Sequence, residues 1–230
     1  MRLQKSVPIF SLPNVVFYPK TALTLYLLEG PMVKIVRDCV REGRMLGITL
    51  SHHPSGKAQY LQNPYAKSIC TIGHPTIMEE SVDKRAIKVF IKGERRVRLL
   101  GRSNTFPYNE YNFEEYEDFK EPFLISANKL ENLQELLNHW LILNISDLDF
   151  REQFCEGLET AYHLIDNICL YLIEDPEVKQ ILLECRSLAE RISLLDAILN
   201  RSNSNYETAL TYRSIKAYEN MENTELASLN

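Results

Sequence analysis

The sequence predicts an α+β fold, with a β-rich first half carrying one inserted helix and a helical second half. Three observations carry this. Of the 8 glycines and 10 prolines, all but Pro122, Gly157 and Pro176 precede residue 110, as expected for a turn-rich β region followed by helices. The charge divides at the same place: residues 1–109 carry 17 Lys and Arg against 7 Asp and Glu, residues 110–230 carry 9 against 24, and the whole chain is left at −5. The hydrophobic period also changes, from short β-branched and aromatic runs to steps of three and four.

Residues 7–10 and 22–28 are short apolar segments bounded by proline and read as strands. Gly30 and Pro31 open a helix, since proline at the first helical position gives up no hydrogen bond, and Gly43 stops it. Val33, Val36 and Val40 are expected on its buried side. Residues 45–50 form the next strand and 51–65 a polar loop. Strands are expected at 68–80, 85–92 and 95–100, the last two paired as a hairpin around Gly93. In 85–92, Ile87, Val89 and Ile91 alternate with Lys88, Phe90 and Lys92, the pattern of a half-buried strand. The aromatic and acidic stretch 108–119 closes the sheet.

In the second half, caps mark the helix starts. Ser187 and Glu190 form a capping box, Asp149 and Glu152 a variant of one, and Asp175 precedes Pro176. Phe150, Phe154, Leu158, Tyr162, Ile165, Cys169 and Leu172 step by three or four, predicting one apolar stripe along a long helix. With residues 126–143 and two helices carrying Leu182, Leu188, Ile192, Leu195 and Leu199, this predicts a four-helix bundle. The expected division is a β-rich unit over 1–120, a bundle over 121–201 and a polar tail over 202–230.

The composition, 45% hydrophobic and 25% charged over 230 residues, is that of an ordinary globular chain. No apolar run approaches the roughly 20 residues that span a bilayer, and Pro8, Pro13 and Pro19 break any leader helix, so a cytoplasmic protein is expected. Cys39, Cys70, Cys155, Cys169 and Cys185 are odd in number and form no C-x-x-C pair, which predicts reduced, mostly buried thiols. Around Gly56 and Lys57, residues 51–58 lack the first glycine and the final hydroxyl of a phosphate-binding loop. Ser126 and Lys129 fit S-x-x-K but lack its partner motifs, so a helix cap with a solvated lysine is expected. His52, His53, His74 and Cys70 show no metal-ligand spacing. No metal, cofactor or catalytic constellation is expected, and the chain reads as non-enzymatic.

Two clusters leave alternatives open. Tyr108, Tyr111, Phe113, Tyr116 and Trp140 would serve either as core or as a stacking platform. Lys84, Arg85, Lys88, Lys92, Arg95, Arg96, Arg98 and Arg102 would either track phosphates, lie on a solvated sheet face, or pair with carboxylates of the acidic half.

Several segments, in order, resemble the N-terminal substrate-binding domain of the Lon protease family. They are VPIFSLPNVVFYP at 7–19, LTLYLLE at 23–29, GRMLGITL at 43–50, Ile72-Gly73, IKGERRVRL at 91–99, LYLIEDPEVKQILLE at 170–184 and LAERISLL at 188–195. The resemblance implies a six-stranded, PUA-like β pseudo-barrel followed by a helical bundle, in a stand-alone form without ATPase or peptidase modules. Where the family commonly has Phe-Pro-Gly this chain has Tyr18-Pro19-Lys20, and a different turn geometry is expected. The implied role is non-catalytic recognition of unfolded or exposed apolar polypeptide segments, as a substrate-binding or adaptor protein working with a separate ATP-dependent protease or chaperone. Phe17, Tyr18, Leu25 and Tyr26 are the expected anchors. The alternative is an RNA-binding module using the basic hairpin 84–102 through Lys88, Lys92, Arg95, Arg96 and Arg98.

Overall fold

The computed structural model describes residues 6–28, 30–51, 67–83, 85–103, 108–120 and 127–199. The loop expected at 51–65 (beyond Ser51 itself) and the tail at 202–230 lie outside the described residues. The strands are β1 (Ser6–Pro13), β2 (Ala22–Leu27), β3 (Leu46–Ser51), β4 (Ile69–Glu80), β5 (Ile87–Ser103) and β6 (Glu110–Glu115). Helix α1 (Pro31–Glu42) is inserted between β2 and β3. Helices α2 (Ala127–Asn144), α3 (Leu148–Glu156), α4 (Ala161–Tyr171), α5 (Pro176–Glu184) and α6 (188–199) follow.

The sheet runs β2-β5-β4-β3-β1-β6, and a further β5–β6 pairing closes it into a barrel. Among the described residues only β1–β3 is parallel, joined through the crossover that contains α1. Closure depends on the length of β5. Its first part, residues 87–92, pairs with β2 and the far end of β4, whereas residues 97–103 pair with β6. Strand β2 therefore lies outside the ring, bonded on one side only among the described residues.

The sheet corrects one expectation: 85–92 and 95–100 belong to a single strand, not to a hairpin around Gly93. Gly73 and Gly93 oppose each other beside a register shift where the chain bends. A Cβ on Gly73 would lie 2.0 Å from the Lys92 carbonyl oxygen, and one on Gly93 2.3 Å from that of Tyr18. These glycines permit close backbone approach inside a bent strand. The β4–β5 turn lies instead at 81–86, where Ser81 Oγ accepts from the amides of Arg85 and Ala86 at 3.1 and 2.9 Å.

Helix α1 begins with Pro31 and ends at Gly43 in the left-handed region, φ 61°. Its buried side is Met32, Val33, Ile35, Val36 and Cys39, packed under Phe10, Leu27, Ile48, Val89 and Ile91. Val40, expected on that side, is exposed because the buried stripe is centred one position round the helix. The turn after β1 keeps Lys20 at φ 59°, and its amide donates to the Gly93 carbonyl at 2.8 Å. The backbone there takes the conformation glycine favours, with lysine carrying the strain. Lys20→Gly is expected to stabilise the fold by about 1 kcal/mol, read as a rise in melting temperature of about 2–4 °C.

Among the described residues the helical half contains five helices rather than the four expected. The expected long stripe is broken at Gly157 into α3 and α4, with Thr160 capping the second by accepting from the His163 amide at 3.3 Å. The cap of α3 is Asp147, which accepts from the Phe150 amide at 3.0 Å, so Asp149 falls in the first turn. Asp175 and Ser187 cap α5 and α6 as expected. Leu133, Leu137, Leu141, Ile165, Ile168, Leu182, Ile192 and Leu195 form one core with Val16, Tyr18, Leu50 and Ile69 of the β half.

Polar contacts also join the halves. The Tyr18 hydroxyl donates to the Lys179 carbonyl, Gln180 Nε2 donates to the Ile69 carbonyl at 3.0 Å, and the Tyr116 hydroxyl donates to the Glu184 carbonyl at 2.9 Å. Between these runs a buried ionic chain. Arg96 of β5 donates to the carbonyls of Leu183 and Cys185 and pairs with Asp118; Asp118 pairs with Arg191 of α6 at 2.6 Å; Arg191 pairs with Asp166 of α4 at 2.9 Å. Burial pushes the Asp166 carboxyl up to about 7, with the two guanidiniums pulling the other way.

Candidate functional site

The part of the sheet left outside the barrel is a three-stranded leaf of β2, the start of β5 and the end of β4. Its inner face is apolar and covered. Leu27, Ile87, Val89 and Ile91 are buried there, with Leu23, Leu25 and Ile77 partly buried against them. Register fixes the outer face: Tyr26 opposes Lys88, which opposes Glu79, and Thr24 opposes Phe90, which opposes Thr76. Residues directly opposite in antiparallel strands share a face.

Several large apolar side chains gather at one end of this leaf. Tyr26 is 72% exposed, Leu28, just past β2, 78%, and Met78 59%. Met78 lies at the register shift between Ile77 and Glu79, which turns an extra side chain outward. Val82 stands fully exposed at the tip of the adjoining 81–86 turn. That turn is held by Ser81, which also donates to Asp83 at 2.6 Å. Arg37 of α1 pairs with Glu80 and ties the helix to the same end of β4.

Lys88 sits in the middle of the outer face. Its Nζ lies 2.8 Å from Glu79 Oε1 and 5.5 Å from the centroid of the Tyr26 ring. The hydrogen bond to Glu79, and after it contact with Tyr26, raise the lysine pKa. The ammonium thus lies against the ring, while most of the tyrosine's surface stays open to solvent. The arrangement suits an extended polypeptide: a strand edge with no partner among the described residues offers main-chain groups, and exposed apolar side chains offer anchors.

The expected anchors separate into two groups. Phe17 is 1% and Tyr18 0% exposed. Neither presents a surface to a ligand, which corrects both expectations; Phe17 lies in the core under α1, Tyr18 in the core shared with the helices, and the segment is held against Gly93 and Thr71, with Thr71 Oγ1 donating to the Phe17 carbonyl at 2.6 Å. Leu25 packs inward from β2, and Tyr26 stands on the open face. Leu28, Met78 and Val82, exposed on the same leaf and its turn, were not among the expected anchors. Leu28 was within reach, as the last apolar residue of a run ending at a turn; Met78 needed the bulge.

The basic cluster is spread around the barrel. Arg96 is buried, so its expected part in a phosphate-binding face is corrected: after the register shift at Gly73 its side chain points into the helical half. Arg95 lies 3.6 Å from Glu115, and Arg98 lies 3.2 Å from Glu114 with its guanidinium 4.9 Å from the Tyr116 ring centre. Lys92 is exposed, opposite Ala22 and His74. The carboxylates facing Arg95, Arg96 and Arg98 come from residues 114–118, at the start of the acidic half of the chain. Lys84 lies outside the described residues.

Of the aromatic cluster, Tyr108 is buried, Tyr111 and Phe113 pack inside the barrel, and Trp140 stacks on Tyr171 at 4.8 Å. Tyr108 is core, Tyr111, Phe113 and Trp140 are half-buried, and Tyr116 lies against the guanidiniums of Arg98 and Arg186 at 4.9 and 5.1 Å. Cys39, Cys70 and Cys169 are buried free thiols, and Cys155 is exposed. Among the described residues there is no grouping of three or more His, Cys, Asp or Glu able to hold a metal, and no helix long and apolar enough to cross a membrane. His52, His53 and Ser126 lie outside them, and Lys129 lies 3.5 Å from Asp196.

A closed barrel with an added leaf, docked through one face onto a helical bundle, defines the class. The family model of the ATP-dependent protease La (LON) substrate-binding domain matches residues 6–201, and the chain belongs to that family. The solved structures it resembles include a Lon N-terminal domain protein from Xanthomonas campestris (TM-score 0.59, 16% identity, 84% of this chain and 98% of that one). The N-terminal domain of the Mycobacterium avium complex Lon protease aligns with a TM-score of 0.60 at 17% identity, over 83% of this chain and 96% of that one. Among curated proteins, Lon protease of Anaeromyxobacter dehalogenans and Lon protease 2 of Myxococcus xanthus are each 23% identical over 198 residues, 85% of this chain. The match spans 23% of the length of each of these relatives.

Proposed function

We propose that this chain recognises extended apolar segments of other polypeptides, binding them along β2 and the open face of the leaf and so selecting them for an ATP-dependent protease. The observation that carries the reading is the combination of a one-sided edge strand with Tyr26, Leu28, Met78 and Val82 exposed at one end of the same leaf. Membership of the substrate-binding-domain family supports it. The role is non-catalytic: binding energy comes from burying apolar side chains and from main-chain pairing, with no bond made or broken.

Tyr26→Asp tests the site. The ring is 72% exposed, so the melting temperature is expected to change by less than about 2 °C, whereas affinity for a labelled, permanently unfolded polypeptide falls at least about tenfold. Fluorescence anisotropy at two salt concentrations reads this. Affinity equal to wild type in the variant contradicts the site. Binding that vanishes at high salt contradicts the apolar mechanism.

A further inference from the structure

A second group of exposed apolar side chains lies where α2 passes into α3. Ile142 and Leu143 end α2, and Leu148 and Phe150 begin α3; all four are 50–60% exposed, within nine residues of sequence. Exposed apolar residues scattered singly mean little, but four at the one corner between consecutive helices point to a contact. Helix α3 sharpens the point, because it contains no buried residue at all. Its order rests on the Asp147 cap, on Phe154, which packs against the bundle core and meets Tyr171 edge-on at 6.0 Å, and on Cys155 Sγ beside Asn138 Oδ1 at 3.7 Å. A nine-residue helix that buries so little of its own surface is marginal by itself.

The charge around this surface limits what can cover it. Asp147, Asp149, Glu152, Glu156 and Glu159 are exposed beside it, against the single guanidinium of Arg151 in the same stretch. An anionic lipid surface or a nucleic acid would bring like charge to that rim. A second copy docking through the same patch would do so too. Apolar side chains flanked by lysine or arginine meet both the patch and its rim.

We propose that the α2–α3 tip docks an amphipathic polypeptide segment that carries lysine or arginine beside its apolar residues, at a site separate from the β2 leaf. The probe is a fluorescein-labelled amphipathic peptide of leucine and lysine, titrated with the full chain, with the same peptide carrying glutamate in place of lysine as control. Saturable binding of the lysine peptide is expected. It weakens at least about tenfold in L148S/F150S and at least about threefold in D149K/E152K, and is unchanged in Tyr26→Asp. D149K/E152K alters exposed side chains only and carries the test if the apolar variant melts early.

Equal binding of the glutamate peptide, or wild-type affinity in D149K/E152K, overturns the proposal. So does loss of binding in Tyr26→Asp, which would assign the peptide to the leaf. Self-association in sedimentation velocity that is lost in L148S/F150S would make the tip a contact between copies. Flotation with phosphatidylcholine–phosphatidylserine vesicles that depends on the same residues would make it a lipid surface. Either result also overturns the proposal.

Discussion

Asp118→Ala is expected to destabilise the protein by about 3 kcal/mol or more, a fall in melting temperature on the order of 10 °C for a chain of this size. Asp118 is the link between two buried guanidiniums, Arg96 from the barrel and Arg191 from the bundle. Without it, both remain in the interface with Asp166 as the nearest counter-charge, held by Arg191 alone. The cost is the burial of cations without their partner, which is larger than the worth of the intact pairs. The exposed pair Arg98–Glu114 is the contrast: with side chains 46% and 49% exposed, Glu114→Ala is expected to change stability by less than about 0.5 kcal/mol. Thermal melts of the two variants check both statements. If Asp118→Ala melts with the wild type, the ionic chain does not hold the halves together.

Gly73→Ala is expected to cost about 3 kcal/mol or more, because the new Cβ would meet backbone and not a movable side chain. It would lie 2.0 Å from the Lys92 carbonyl oxygen and 3.2 Å from the Gly93 Cα. Relief requires parting β4 from β5 where the long strand passes from leaf to barrel, so the leaf and the ring lose their common support. Gly101, in the same strand, is the control: a Cβ there would have nothing within 4 Å, and Gly101→Ala is expected within about 0.5 kcal/mol of wild type. Denaturant unfolding of both variants decides it. A Gly73→Ala protein as stable as Gly101→Ala would contradict the close approach.

Much of the fold was legible because its signals are local. Pro31 and Gly43 bracket α1, Asp175 before Pro176 opens α5, Ser187 opens α6, and the alternation of Ile87, Val89 and Ile91 marks the covered face of β5. The misreadings come from places where a local signal has two outcomes. Gly93 reads as a turn in sequence, yet it serves a close approach with Gly73, which is distant in the chain. Gly157 does not stand out within a run of helical spacing, although the chain breaks there. The site was half legible. A proline-bounded apolar run pointed to β2, but which of its neighbours are covered depends on how the chain before it folds back. That fold-back buries Phe17 and Tyr18 and leaves Tyr26 in the open. Arg96 follows the same logic: its charge is plain in the sequence, while its direction is set by a register shift three residues earlier.

Amide hydrogen exchange of the full chain, with and without a reduced and carboxymethylated protein as permanently unfolded ligand, tests polypeptide recognition by the leaf most directly. Carboxymethylation makes that ligand more acidic, which disfavours the acidic α2–α3 tip. Slowed exchange is expected, concentrated in β2 and toward the β4–β5 turn, residues 22–28 and 76–83, since a strand added to the β2 edge ties up its amides. Protection elsewhere with these segments unchanged, or no protection under saturating ligand, would contradict it.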